Sequence, residues 1–334
     1  MPTAENGLLQ YEAGQDLVSM VALSDSGDNT VFNSADTLWS NRSGYAANVK
    51  PNGVATGGVV TPAVSGTNNL VDVAGLTCYL AGVLTTVVAS TDETVVRPAN
   101  GKYNKTSIQI TSAGAISMVL GTDGNAWSDV RDATGGPPLI LVGSIEIAQV
   151  HLFSDTAAAI SADEIKQVPG THTEWYNYPA YRIDRIRVEN GIIGLAGIDF
   201  LSALPLSHTG AIPKGVYAEY YTPTLSEIPD AYTFVRPANS YSVTSSQVYG
   251  GTKGAQSTSL GQGSFNAHLV DGISDNILLL EGMNLWFKFQ PDRLLTPYVM
   301  CQGILGVVET YPADNSITAA FTISSEYAGD RVIS

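Results

Sequence analysis

Apolar residues fall along this chain in short runs rich in Val, Ile and Thr, bounded by turn residues and alternating with polar ones more cleanly in some than in others. KTSIQIT (105–111), AISMVLG (115–121), PLILVGSIEIAQVHLF (138–153), MNLWFKFQP (283–291), YVMCQGILGVVETY (298–311) and SITAAFTISSEYAG (316–329) all follow this pattern. Runs rich in Val, Ile and Thr between turn residues predict strands. The Ser-Ala-Gly gap between SIQIT and AISMVLG predicts a hairpin. In NLWFKF, Lys288 lies between Phe287 and Phe289, as in an antiparallel strand with one wet face. LVSMVAL (17–23) predicts a further strand, and DSGDN (25–29) a turn. Helical signals are few: Ser161 with Glu164 as a capping-box pair, GIDFLSAL (197–204), and SDNILLLE (274–281) with Ser274 or Asp275 as cap. The fold class expected is mainly β with few short helices.

Segment 71–90, VDVAGLTCYLAGVLTTVVAS, is apolar enough to imitate a membrane span and carries only Asp72. Gly75 and Gly82 interrupt it, and no Lys or Arg flanks it, so it is expected to form three short buried strands instead. Residues 237–270 differ in kind. They are rich in Ser, Gly, Gln and Thr, carry one charge at Lys253, and predict a long loop that a neighbouring subunit would order. Composition shifts at Pro51 and at the Gly-Gly-Pro-Pro run (135–138) suggest three parts. These are an N-terminal segment 1–50 contributing strands or an arm, an added β domain or insertion over 51–140, and a C-terminal β domain over 141–334.

Charge narrows the functional classes. Charged residues make up 14% of the chain, against about 25% in an average soluble domain. The net charge is −15 and is spread over both halves. Such a surface repels phosphates, and no Lys/Arg cluster offers a footprint for reading nucleic acid. Cys78 and Cys301 are too few for a disulfide framework and are expected to be reduced and buried. The N-terminal stretch MPTAENGLLQYEAG lacks the basic-then-apolar pattern of a signal peptide.

Catalytic patterns are missing. The histidines 151, 172, 208 and 268 show no ligand spacing, and neither HExxH nor CxxC occurs. There is no GxSxG elbow, YGGTKG (249–254) is not a phosphate loop, and GIIGLAG (191–197) lacks the dinucleotide spacing. DSGDN lacks the spacing of a calcium loop. No catalytic residue, cofactor or metal is therefore expected. VRPAN occurs at 96–100 and again at 235–239. Each copy follows a β-type segment, so Val-Arg should end a strand and Pro-Ala-Asn leave it. Chance and duplication both remain open as its origin.

A resemblance is carried by residues 278–330, with LLLEGMNLWFKFQ, YVMCQGILGVVETY and SITAAFTISSEYAG. A short helix-like segment, two long strands and a last strand of small and β-branched residues resemble a bacteriophage major tail tube protein of the long, non-contractile kind. The resemblance covers roughly 145–334. It implies a tail-tube-type β-sandwich or barrel subunit with an extra β domain, and a non-enzymatic virion protein made in the bacterial cytoplasm. It further implies copies stacked as hexameric rings whose acidic lumen conducts DNA without binding it, with tape-measure, tail-terminator and tail-tip proteins as partners and no membrane insertion. On this reading the subunit contacts fall in the 237–270 loop, with Lys253, Gln256, Ser257, Ser259 and Gln262 as candidates. The alternative is a receptor- or carbohydrate-binding β protein, such as a tail fibre or adhesin segment. Trp39, Trp127, Trp175 and Trp286, with Tyr176 and Tyr178, would then be stacking platforms, Trp175 being the best placed.

Overall fold

The computed structural model describes residues 6–176, 180–184, 188–189, 192–204, 208 and 214–333; Tyr178 and Gly191 lie outside them. The chain is mainly β, built from several antiparallel sheets. Its largest sheet has nine strands. Eight follow in the spatial order Ala231–Val235, Gly263–His268, Thr318–Ser324, Tyr298–Thr310, Asn284–Gln290, Leu8–Ala22, Val216–Glu227 and Asn48–Pro51, and Asp330–Val332 pairs beside Tyr298–Thr310. The fifteen-residue strand Leu8–Ala22 lies inside this sheet, between C-terminal Asn284–Gln290 and Val216–Glu227.

Alternation decides which face is covered. Ala319, Phe321 and Ile323 point into a core with Phe265, Phe287 and Leu305, while Ala320, Thr322 and Ser324 face out. Phe265 stacks on Phe321 at 4.5 Å. Elsewhere the second face of the sheet is covered too. Glu12 is fully buried at a bulge and accepts hydrogen bonds from Ser40 Oγ and from the Trp286 amide at 3.2 Å. Trp286 Nε1 donates to the Trp39 carbonyl, and Trp39 stacks on Tyr220.

The chain leaves this sheet at Pro51 and re-enters it at Val216, and those two residues are paired. Between them lies a β unit with its own core, which includes Val54, Val71, Cys78, Ile108, Ile110, Ile147 and Leu152. The strand Tyr103–Ile110 pairs with Ile116–Leu120 on one side and with Ile145–Phe153 on the other. This core therefore runs past residue 140 and takes in the strand Ile145–Phe153, which the sequence reading had grouped with the C-terminal part. The apolar stretch 71–90 forms three strands, Leu70–Val73, Leu76–Leu80 and Val83–Val87. Among the described residues, no helix is long and apolar enough to cross a membrane.

The expected helices are corrected. GIDFLSAL gives a strand, Gly197–Phe200, paired with Val31–Asn33 and Tyr181–Asp184. The other two shrink to single 3-10 turns, Ala162–Glu164 and Leu278–Leu280. Glu164 does reach back to the Ser161 amide, at 2.7 Å. Asp275, however, accepts from the amides of Val270, Asp271 and Gly272, which precede it, and so closes a loop instead of opening a helix.

Candidate functional site

The largest correction falls on residues 237–270. They are not a long loop. Ala238–Val248 and Gly251–Gly261 form an antiparallel hairpin in unbroken register, from Ala238 opposite Gly261 to Val248 opposite Gly251. Tyr249 and Gly250 make the turn, with Gly250 at φ +91°, a conformation that glycine adopts without strain. Every position of both strands is exposed except Ala238 and Leu260, which are half-buried. At about 3.4 Å per residue the arm is roughly 35 Å long.

The arm prolongs the rim of the nine-stranded sheet. Ala231–Val235 and Gly263–His268 pair there, and the ladder resumes beyond Pro237 and Gln262. Its root is pinned. Arg236 donates to the Gly329 carbonyl, the Gly329 amide donates to the Pro237 carbonyl at 2.8 Å, and Gln262 Oε1 accepts from the Ser325 amide at 2.6 Å. Arg97, in the other VRPAN copy, likewise reaches the Ala158 carbonyl and Asn69. In both copies the arginine fastens a strand exit.

The two faces of the arm differ. Ser240 and Ser242 hydrogen-bond across to Ser259 and Ser257, each pair at 2.7 Å, with Lys253 further out on the same face. The opposite face carries Tyr241 and Val243, 68% and 72% exposed, with Gln256 opposite Val243. Four of the five predicted contact residues, Lys253, Gln256, Ser257 and Ser259, thus stand exposed on one strand. Gln262 lies at the root and bonds within the chain.

Among the described residues, no three His, Cys, Asp or Glu side chains come together as a metal site. In DSGDN, Asp28 accepts from the amides of Val31 and Thr30, which hold its carboxyl below the usual range. Cys78 and Cys301 are free and buried, and burial pushes their thiols up to about 11 and about 12. An open cleft of about 670 Å³ is lined by Tyr11, Arg42, Ser226, Glu227, Ser274 and Asp275. The inserted unit buries Glu146 against Arg131, Ser107 and Gln149, and burial raises its carboxyl pKa.

The tryptophans separate clearly. Trp39 and Trp286 are buried, and Trp175, favoured by the sequence reading, packs partly against the inserted core. Trp127 is 45% exposed. Sequence spacing also kept His151 and His172 apart, yet their rings lie 6.0 Å from each other beside Trp127. No protein-family model, curated protein or solved structure matches the chain.

Proposed function

We propose that this chain is a structural subunit that polymerises through its hairpin arm into stacked, six-fold rings forming a phage tail tube. The observation that carries the assembly is the arm itself. A two-stranded hairpin is marginal in water, and this one has no covered face along about 35 Å. A second subunit laid against Tyr241 and Val243 would give it the burial it lacks. The phage-tail reading rests on the resemblance of residues 278–330, whose strands form much of the nine-stranded sheet. In that role the sheet is the wall of a tail-tube-type barrel. The net charge of −15 keeps DNA phosphates from sticking as they pass, and tape-measure, tail-terminator and tail-tip proteins are its partners in the virion.

The test is direct. Concentrated protein imaged by negative stain should show rings or tubes, and light scattering should show growth with concentration. A monodisperse 35.1 kDa species at every concentration and salt would end the proposal.

A further inference from the structure

The inserted unit presents an aromatic row on one face of its sheet. Tyr103 lies directly across from Phe153, and Lys105 across from His151, so all four side chains share that face. The Tyr103 ring is 4.7 Å from Phe153 and 4.9 Å from Trp127, and Trp127 continues to His151 at 5.4 Å. Trp127 and Phe153 are 45% and 50% exposed. Two large rings held open to water on a sheet face that already has a full core beneath it are not needed for that core.

The row is rigidly mounted. Trp127 comes from the loop 121–138, which doubles back on itself. The Gly135 amide donates to the Thr122 carbonyl at 2.7 Å, and the Ser128 amide donates to the Gly135 carbonyl at 3.1 Å. A Cβ on Gly135, which has a φ of +75°, would stand 2.0 Å from the Ala126 carbonyl oxygen. Arg131 ties the same loop down, donating to the Pro138 carbonyl and pairing with buried Glu146. Polar groups flank the rings on both sides. Lys105 Nζ donates to Asp129 at 2.6 Å and leaves that carboxylate side chain fully exposed, and Lys102 Nζ donates to Asn125 at 2.5 Å.

We propose that this row is a glycan-binding site in which the C–H face of a neutral hexopyranose stacks on Trp127 while Asp129 and Asn125 hydrogen-bond its hydroxyls. Flat rings beside fixed donors and acceptors of both signs match a sugar, which is apolar on its faces and polar around its rim. A phosphate or sulfate ester would instead meet the Asp129 carboxylate. The site is independent of the assembly proposed above.

The experiment titrates full-length protein with cellohexaose, chitohexaose and maltohexaose, followed by tryptophan emission and by calorimetry. At least one oligosaccharide should bind with a dissociation constant of about 0.1–1 mM, as suits a single shallow platform. Trp127→Ala should weaken it at least about tenfold, and Asp129→Asn should weaken it less, both with unchanged melting. Three results would overturn the proposal: no binding of any of the three at about 10 mM, equal binding by Trp127→Ala, or a change of oligomeric size in Trp127→Ala, which would make the row a subunit contact.

Discussion

Two antiparallel ladders in this chain have similar length and opposite surroundings. In Tyr103–Ile110, paired with Ile145–Phe153, every residue but Tyr103 is buried, and Ser107 bonds to the Glu146 carboxylate that pairs with Arg131. In Ala238–Val248, paired with Gly251–Gly261, nothing is fully buried. Backbone pairing is if anything more regular in the second, which runs in unbroken register while the first shifts between Ile108 and Gln109. The lesson is that the ladder's hydrogen bonds do not say where its stability comes from. A net hydrogen bond is worth only about 0.5–1.5 kcal/mol, and backbone ordering costs about 1–2 kcal/mol per residue. The first ladder offsets that cost by burial within its own chain. The second has to find its burial elsewhere.

Removing the arm is the most severe way to break the comparison. Replacing 239–260 by a two-glycine turn should leave the melting temperature within about 2 °C of the parent, because the arm contributes nothing to any core. Assembly should be abolished at every concentration. Calorimetry and light scattering on the same sample check both halves. A large fall in melting temperature would show that the arm supports the body after all.

The converse cut is in the inserted unit. Glu146→Ala leaves half-buried Arg131 without its carboxylate partner; breaking a fully buried pair costs about 3–5 kcal/mol, which sets the upper bound here. Urea unfolding followed by total tryptophan emission, to which Trp127 and Trp175 of this unit contribute, should show an early transition in this variant, while assembly through the arm persists. A loss below about 1 kcal/mol would mean that water takes over the pairing.

The difference between the ladders also explains what could be read from the sequence. Thr318–Ser324 and Asn284–Gln290 were legible as apolar runs between turn residues, although only the first has a single covered face: in the second, Leu285, Trp286 and Phe287 are buried in succession. The arm was not, because no face of it is covered. Its Ser, Gly and Gln composition suggested a loop, although Gly250-Gly251 between two Ser/Thr-rich segments of equal length was a usable hairpin signal. GIDFLSAL misled for another reason. Ile198, Leu201 and Leu204 have helical spacing, but Gly197–Phe200 is drafted into a sheet by Val31–Asn33, far away in sequence. The aromatic row was hidden in the same way. Nothing local tells Trp127 from the other three tryptophans, because its exposure depends on a loop lying over a pairing between residues 103 and 153.

Acid should act on the inserted unit more than on the arm. Burial first, then the nearby charges of Lys105, His172 and Lys166, pull the His151 pKa down to about 4 from its ordinary 6.5, against the pull of Asp129. His172 is lowered in the same sense, also by burial first. The unfolded chain therefore binds these protons more readily than the folded one. Their contribution to stability is complete above about pH 6.5 and is lost as pH falls towards 4. Glu146, raised by burial, works in the opposite sense. Comparing the protein with His151→Asn isolates the histidine: the variant should lose less stability between pH 6.5 and 4 in urea titrations. Identical slopes would exclude His151 as the acid-sensitive group.

The smallest effects should come from single residues on the arm, and they should depend on the face. Tyr241 and Val243 expose apolar surface that only a neighbour can cover, whereas Ser242 and Ser257 already satisfy each other at 2.7 Å. Tyr241→Ser should therefore raise the concentration needed for assembly about tenfold, consistent with burial worth about 25 cal/mol per Å² of apolar area. Ser242→Ala should change it less than about threefold, since an exposed hydroxyl pair loses little when water replaces a partner. Neither should move the melting temperature of the isolated subunit. Sedimentation velocity across a concentration series reads all of this directly. If Ser242→Ala proves the more damaging, the serine face lies against the neighbour, and the orientation given to the arm has to be reversed.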